Sequence, residues 1–231
     1  MIFFPLNGVG ENEFVNDRVW KVNCPGMYQC SVGNKNAIII IPGGAYFKLN
    51  PINNGFNYAK WIKEFDCYVL LHTLPEQGKY KHSPFDQCNV SMKKLYDMGY
   101  KKVGLWGTSA GGHVAAMLDA DFSILFSPVI TMFEPYAHEN SRNNLLGKEP
   151  SEGTNEWYSA ETGVGSRASE NNFIIHASDD KKVHVMNSIM YYEHLLSRGK
   201  EVEMHLFPKG DHEICLTDIW KPLLKKWLCV I

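Results

Sequence analysis

From residue 36 onward the chain alternates short apolar runs with segments whose apolar residues recur every three or four positions. Ala37–Ile41 (AIIII) is a continuous, mostly β-branched run, the pattern of a strand buried on both faces. Cys67–Leu71, Lys102–Trp106, Phe122–Phe126 and Phe173–His176 read as further short apolar strands, and Val202–Phe207 alternates as a strand. Helical spacing covers Asn57–Phe65, Phe85–Met98, Ala110–Leu118, Val185–Arg198 and Ile214–Leu228, with Gly99 and Gly199 placed as helix-terminating glycines. Strands that alternate with helices build βαβ units, so the pattern predicts an α/β fold with a mainly parallel sheet. The Asn- and Gly-rich first 35 residues are expected to add a short hairpin at a sheet edge. The stretch 127–171 has little strand pattern but carries Phe133, Tyr136, Trp157 and Tyr158, and is expected to act as a lid or pocket wall.

Composition narrows the function. The 231 residues fit one domain spanning 1–231, with 45% apolar and 21% charged residues as in an average globular protein. Lys and Arg total 23 against 25 Asp and Glu, a net charge of −2, so no basic field points to nucleic acid. No apolar run approaches the roughly 18–20 residues that span a bilayer. The N-terminus lacks a basic leader with a long apolar region, so a signal peptide is not expected. The 6 cysteines form no C-x-x-C pair and are expected to be reduced thiols of a cytoplasmic protein. Self-association is open at this size.

Gly107-Thr108-Ser109-Ala110-Gly111 is a G-x-S-x-G between a strand and a helix, the setting of a nucleophile elbow, where glycines remove side chains that would collide around a strained serine. The alternative is a tight helix start with Ser109 as N-cap. A serine hydroxyl needs a base, and His212 lies in a loop after a strand, at the sheet edge where the elbow sits. His113 and His194 fall in helices and His205 in a strand, while His72, His82 and His138 have no supporting context. Asp179 and Asp180 follow the strand ending at His176; Asp180 is the choice for the acid that orients the imidazole, with Asp179 as fallback. A metal site from His176, Asp179, Asp180 and His184 is a weaker reading. Pro42-Gly43-Gly44-Ala45-Tyr46 follows the first buried strand, and the N–H groups of Gly43, Gly44 and Ala110 are candidate oxyanion donors. Tyr46, Phe47, Trp157 and Tyr158 are candidates for the pocket wall, with core packing the alternative.

Six segments in register resemble the α/β-hydrolase superfamily and, within it, the small acetyl esterase or acetylxylan-esterase-like group labelled BD-FAE. They are IIIIPGGAYFKL, GTSAGGHVAA, FSPVIT, SRNNLLG, HASDDKKV and HLFPKGDHEICL. The resemblance implies an α/β-hydrolase fold with helices on both faces of the sheet, and Ser109, Asp180 and His212 as nucleophile, acid and base. It also implies metal- and cofactor-free hydrolysis of small acyl esters, including acetylated sugars. Three departures bear on substrate: Ala45 replaces a third glycine, Lys181, Lys182 and His184 replace a proline-containing segment, and Glu213 replaces a glycine beside the base. If Glu213 faces the site it raises the imidazole pKa, since a negative neighbour favours the cation. Two other functions fit the same residues: a prolyl-oligopeptidase-like peptidase, disfavoured because these residues hold no propeller domain, and a non-catalytic ligand-binding protein.

Overall fold

The computed structural model describes residues 1–6, 12–79 and 81–231. Residues 7–11, within the stretch expected to form a hairpin, lie outside the described residues. Among the described residues the main sheet has eight strands: β1 (Ile2–Pro5), β4 (Gly26–Gln29), β5 (Ala37–Ile41), β6 (Asp66–Leu71), β7 (Val103–Thr108), β8 (Phe122–Phe126), β9 (Asn171–Ala177) and β10 (Glu201–Phe207). Their order is β1-β4-β6-β5-β7-β8-β9-β10. The strands from β6 to β10 run parallel, and β4 and β1 continue the edge antiparallel. A separate antiparallel pair, β2 (Phe14–Val15) and β3 (Arg18–Val19), forms a small hairpin.

The β-branched run of β5 is the sheet's middle because both of its faces are covered. Ala37, Ile39 and Ile41 pack into one layer with α2 (Ser83–Asp97), α3 (Ala110–Met117) and α6 (Met186–Ser197). Ile38 and Ile40 pack into the opposite layer with α1 (Asn57–Trp61) and α7 (Lys221–Leu228). Each fully buried isoleucine stabilises the fold by about 1.5–3 kcal/mol relative to an exposed one. Two further helices, α4 (Glu139–Leu146) and α5 (Glu152–Trp157), lie in the stretch between β8 and β9.

The connections place the site. After β5 the chain returns through α1 to β6 on one side, whereas β7 continues through α3 to β8 on the other. The crevice beyond the carboxyl ends of β5 and β7 is therefore a topological switch point, where α/β sheets bind ligands.

Two expected helices differ. The helix expected over 57–65 ends at Trp61, because Ile62 turns extended and is buried. The helix expected over 214–228 is broken into a short turn, Asp211–Leu216, and α7. Pro222 supplies the reason: it lacks an N–H and is tolerated only in a helix's first turn, so the helix starts anew beside it.

Candidate active site

The elbow forms where β7 meets α3. Ser109 holds φ 56° and ψ −121°, a left-handed backbone that costs a non-glycine residue about 1–3 kcal/mol. The strain is held from several sides: Ser109 N–H donates to the Phe126 carbonyl (2.9 Å), and its own carbonyl accepts from His113 and Val129 (both 3.1 Å). A Cβ on Gly107 would strike the Gly111 carbonyl, and one on Gly111 would strike that of Ile41. Both glycines of the motif are thus required by close backbone approach. Ser109 occupies the N-cap position of α3, but its hydroxyl makes no capping hydrogen bond.

The glycine loop lies directly against this turn. A methyl on Gly43 would come within 2.7 Å of the Thr108 carbonyl and 3.1 Å of Ser109 Cβ. Gly44 takes φ +141°, and Ala45 and Tyr46 follow at 56° and 59°. Ala45 thus occupies, at some strain, the kind of backbone a glycine fills freely. Asn144 of α4 braces the loop by donating from Nδ2 to the Ala45 carbonyl (2.9 Å).

Asp180 gathers four N–H groups. Oδ2 accepts from His212 Nδ1 (2.7 Å) and His176 Nε2 (3.1 Å), and Oδ1 accepts from the backbone N–H of Lys182 (2.8 Å) and Val183 (3.0 Å). Burial works to raise the Asp180 pKa, but the bonds from the two histidines, the charge of His212 and the Val183 N–H outweigh it. They hold the carboxyl well below the usual carboxylate range. An ionised carboxylate only accepts, so His212 donates to it from Nδ1–H, which leaves Nε2 as the ring nitrogen turned away from Asp180. Asp179, the fallback, reaches no imidazole. It accepts from Asp211 N–H (2.9 Å), and Asp211 accepts from Lys181 N–H (3.0 Å), an exchange that ties the acid loop to the histidine loop.

Ser109, His212, Gly43, Gly44 and Ala45 line one cavity of about 910 Å³. Among the described residues no hydrogen bond joins Ser109 to His212; such contacts in ligand-free sites are often long and close only around substrate. Glu213 also lines the cavity, but it is paired with Lys182 (3.1 Å). Phe47 lies on the cavity wall.

Three expected wall residues, Tyr46, Trp157 and Tyr158, do not line this cavity. Tyr46 is buried in the core, and its O–H donates to His113 Nδ1 (2.7 Å) while His113 Nε2–H donates to the Tyr158 carbonyl (2.7 Å). Burial pushes His113 down to about 4, against the pull of the Tyr158 bond, so this imidazole is neutral and links the glycine loop to the elbow helix. Tyr46→Phe leaves its Nδ1 unsatisfied and is expected to destabilise the fold by about 1–3 kcal/mol, read as a lower urea midpoint. Trp157 is half-exposed and lines a separate depression with Lys81, His82 and Tyr158.

The cavity also contains residues the sequence reading does not pick out: Arg18, Lys48, His138, Asn140 and Asn144. Asn140 and Asn144 stand four apart on one face of α4, the one periodic signal available for them. Arg18 and Lys48 reach the cavity through a tertiary contact that leaves no local pattern.

The prolyl oligopeptidase family profile matches residues 75–219. The acetylxylan esterase of Xylanibacter ruminicola is 31% identical in an alignment of 195 positions that covers 76% of this chain and 40% of that protein. The chain therefore spans two fifths of that relative's length. The acetyl ester-xyloside bifunctional hydrolase of Caldicellulosiruptor lactoaceticus superposes with a TM-score of 0.76 at 22% identity, covering 88% of this chain and 87% of the other. An α/β-hydrolase from a Medee basin deep-sea metagenome superposes with a TM-score of 0.63 at 19% identity, covering 89% and 90%. The fold is that of an α/β-hydrolase.

Proposed function

This chain belongs to the prolyl oligopeptidase family, and we propose that within it the protein is a serine esterase that removes small acyl groups, above all acetyl, from the hydroxyl groups of O-acetylated sugars. The observation that carries the reading is the His212–Asp180 bond of 2.7 Å, in a cavity whose wall includes a serine held on a strained strand-to-helix turn.

In this mechanism His212 Nε2 takes the Ser109 proton as Oγ attacks the ester carbonyl. Charge developing on the carbonyl oxygen is met by the N–H groups of Ala110 and of the Gly43–Gly44 loop. Ala110 opens a helix, where the first N–H groups have no intrahelical partner. The imidazolium, stabilised by ionised Asp180, then protonates the leaving alkoxide. Water repeats the sequence on the acyl-enzyme with His212 again as base.

A sugar as the alcohol is supported by the acetylxylan esterase relative and by the amide-rich wall, where Asn50, Asn53, Asn54, Asn140 and Asn144 offer donors and acceptors to hydroxyl groups. A cytoplasmic, reducing setting is proposed alongside, supported by the six free cysteines. Among the described residues no helix is long and apolar enough to cross a membrane.

The test is a series of p-nitrophenyl esters from acetate to octanoate, run beside peptide p-nitroanilides because the family match favours a peptidase as the second reading. Turnover is expected to peak at acetate with the anilides inert. Cleavage of a peptide anilide faster than any ester would reverse the assignment.

A further inference from the structure

The cavity wall built by the N-terminal hairpin has a chemistry that ester hydrolysis does not itself require. Val19 and Leu49 exchange backbone hydrogen bonds (3.0 and 2.8 Å), which pins β3 to the segment following the glycine loop. Their side chains pack with Leu71 into a small core. Side chains alternate across extended backbone, so the flanking Arg18, Trp20 and Lys48 turn to the other side. There Lys48 Nζ lies 4.7 Å from the Trp20 ring centroid, and the Trp20 ring meets Phe47 edge-on at 5.5 Å. Trp20 and Phe47 remain 42% and 60% exposed; Phe47 lines the cavity and Trp20 lies against it as an apolar edge.

Arg18, Lys48 and Lys182 line the cavity, facing Asp17 and Glu213 as the carboxylates of the same wall and His138 and His212 as its imidazoles. Glu213 is taken by Lys182. Among the described residues Arg18 and Lys48 have no ion-pair partner. Partial burial, and then the charges of Arg18 and Lys182, lower the Lys48 pKa, so both cations repel the Lys48 ammonium. Cations with no ion-pair partner among the described residues, at a concave site in a chain of net charge −2, concentrate anions there.

We propose that this wall is a subsite for a sugar ring bearing an anionic substituent, with the ring's C–H face on the Phe47–Trp20 edge and the anion between Arg18 and Lys48. The C–H face of a pyranose packs on aromatic rings as other apolar surface does, while the anion takes charge-assisted hydrogen bonds. The identification of this sugar as the leaving alcohol rests on the esterase reading; its binding does not.

The experiment titrates the isotopically labelled protein by NMR with methyl glucuronide, methyl glucoside and methyl glucoside 6-phosphate. The first two differ only in carboxylate against hydroxymethyl, and the third tells a phosphate from a carboxylate site. At low salt the preferred anionic sugar is expected to bind about 10-fold more tightly than the neutral glucoside, and the gap should shrink in 0.5 M NaCl. Lys48→Met, which keeps the apolar stem, should bring the two within about 2-fold, and Trp20→Ala should weaken all three. Equal or absent binding of anionic and neutral sugars, or a preference that survives in both Lys48→Met and Arg18→Gln, overturns the proposal. An anion preference in a protein that turns over no acetate ester would instead sink the esterase reading and leave the subsite standing.

Discussion

Alanine in place of Ser109 is expected to lower kcat/KM for p-nitrophenyl acetate by about 10⁴- to 10⁶-fold, the loss that follows removal of a nucleophile acting as one unit with its base. The fold should survive. The substitution deletes one oxygen that caps no helix, and the strained turn is held by backbone bonds to Phe126, His113 and Val129 and by two glycines that closely approach neighbouring backbone. Thermal unfolding of the variant within a few degrees of the parent, alongside lost turnover, separates a chemical role from a structural one. Hydrolysis within 10-fold of the parent would rule Ser109 out as nucleophile.

Asp180→Asn is expected to cost about 10⁴-fold in kcat, as loss of the correct imidazole tautomer does in serine hydrolases. The geometry says why an amide cannot stand in. Two imidazole N–H groups meet Oδ2 and two backbone N–H groups meet Oδ1, so either orientation of the amide sets its NH₂ against donors. Asp179→Asn, by contrast, disturbs only the Asp211 contact and a Lys209 ammonium 3.7 Å away, and is expected to keep activity within about 10-fold. The pH profile adds a second reading. The folded pKa of Asp180 is depressed, so its contribution to stability is present above the unfolded carboxylate pKa and is lost only as pH falls through the much lower folded one. Protonation of Asp180 should therefore contribute nothing to the acid limb of kcat/KM across the ordinary carboxylate range.

What the sequence reveals depends on whether a residue's fate is decided locally. The β5 run and the strand before the elbow are legible because a strand buried on both faces cannot afford polar positions. The elbow is legible because its glycines are demanded by backbone a few residues away. Asp180 and Asp179 are only weakly distinguished by the sequence, since both follow the same strand and just the folded loop aims one at His212. Tyr46 misleads: it follows the glycine loop, but left-handed backbone at Ala45 and Tyr46 accompanies a ring turned into the core toward His113. Trp157 misleads for the opposite reason, being an exposed aromatic whose helix faces another depression. The cationic wall is invisible beforehand because it depends on the Val19–Leu49 pairing, which joins residues thirty positions apart.

The central claim is that Ser109 is a nucleophile activated within this cavity, and the most direct measurement is covalent labelling by a fluorophosphonate followed by intact and peptide mass spectrometry. One adduct per chain, localised to Ser109 and formed far more slowly in Asp180→Asn, is the predicted result. No adduct under conditions that label a control serine esterase, or an adduct on another residue, would contradict it.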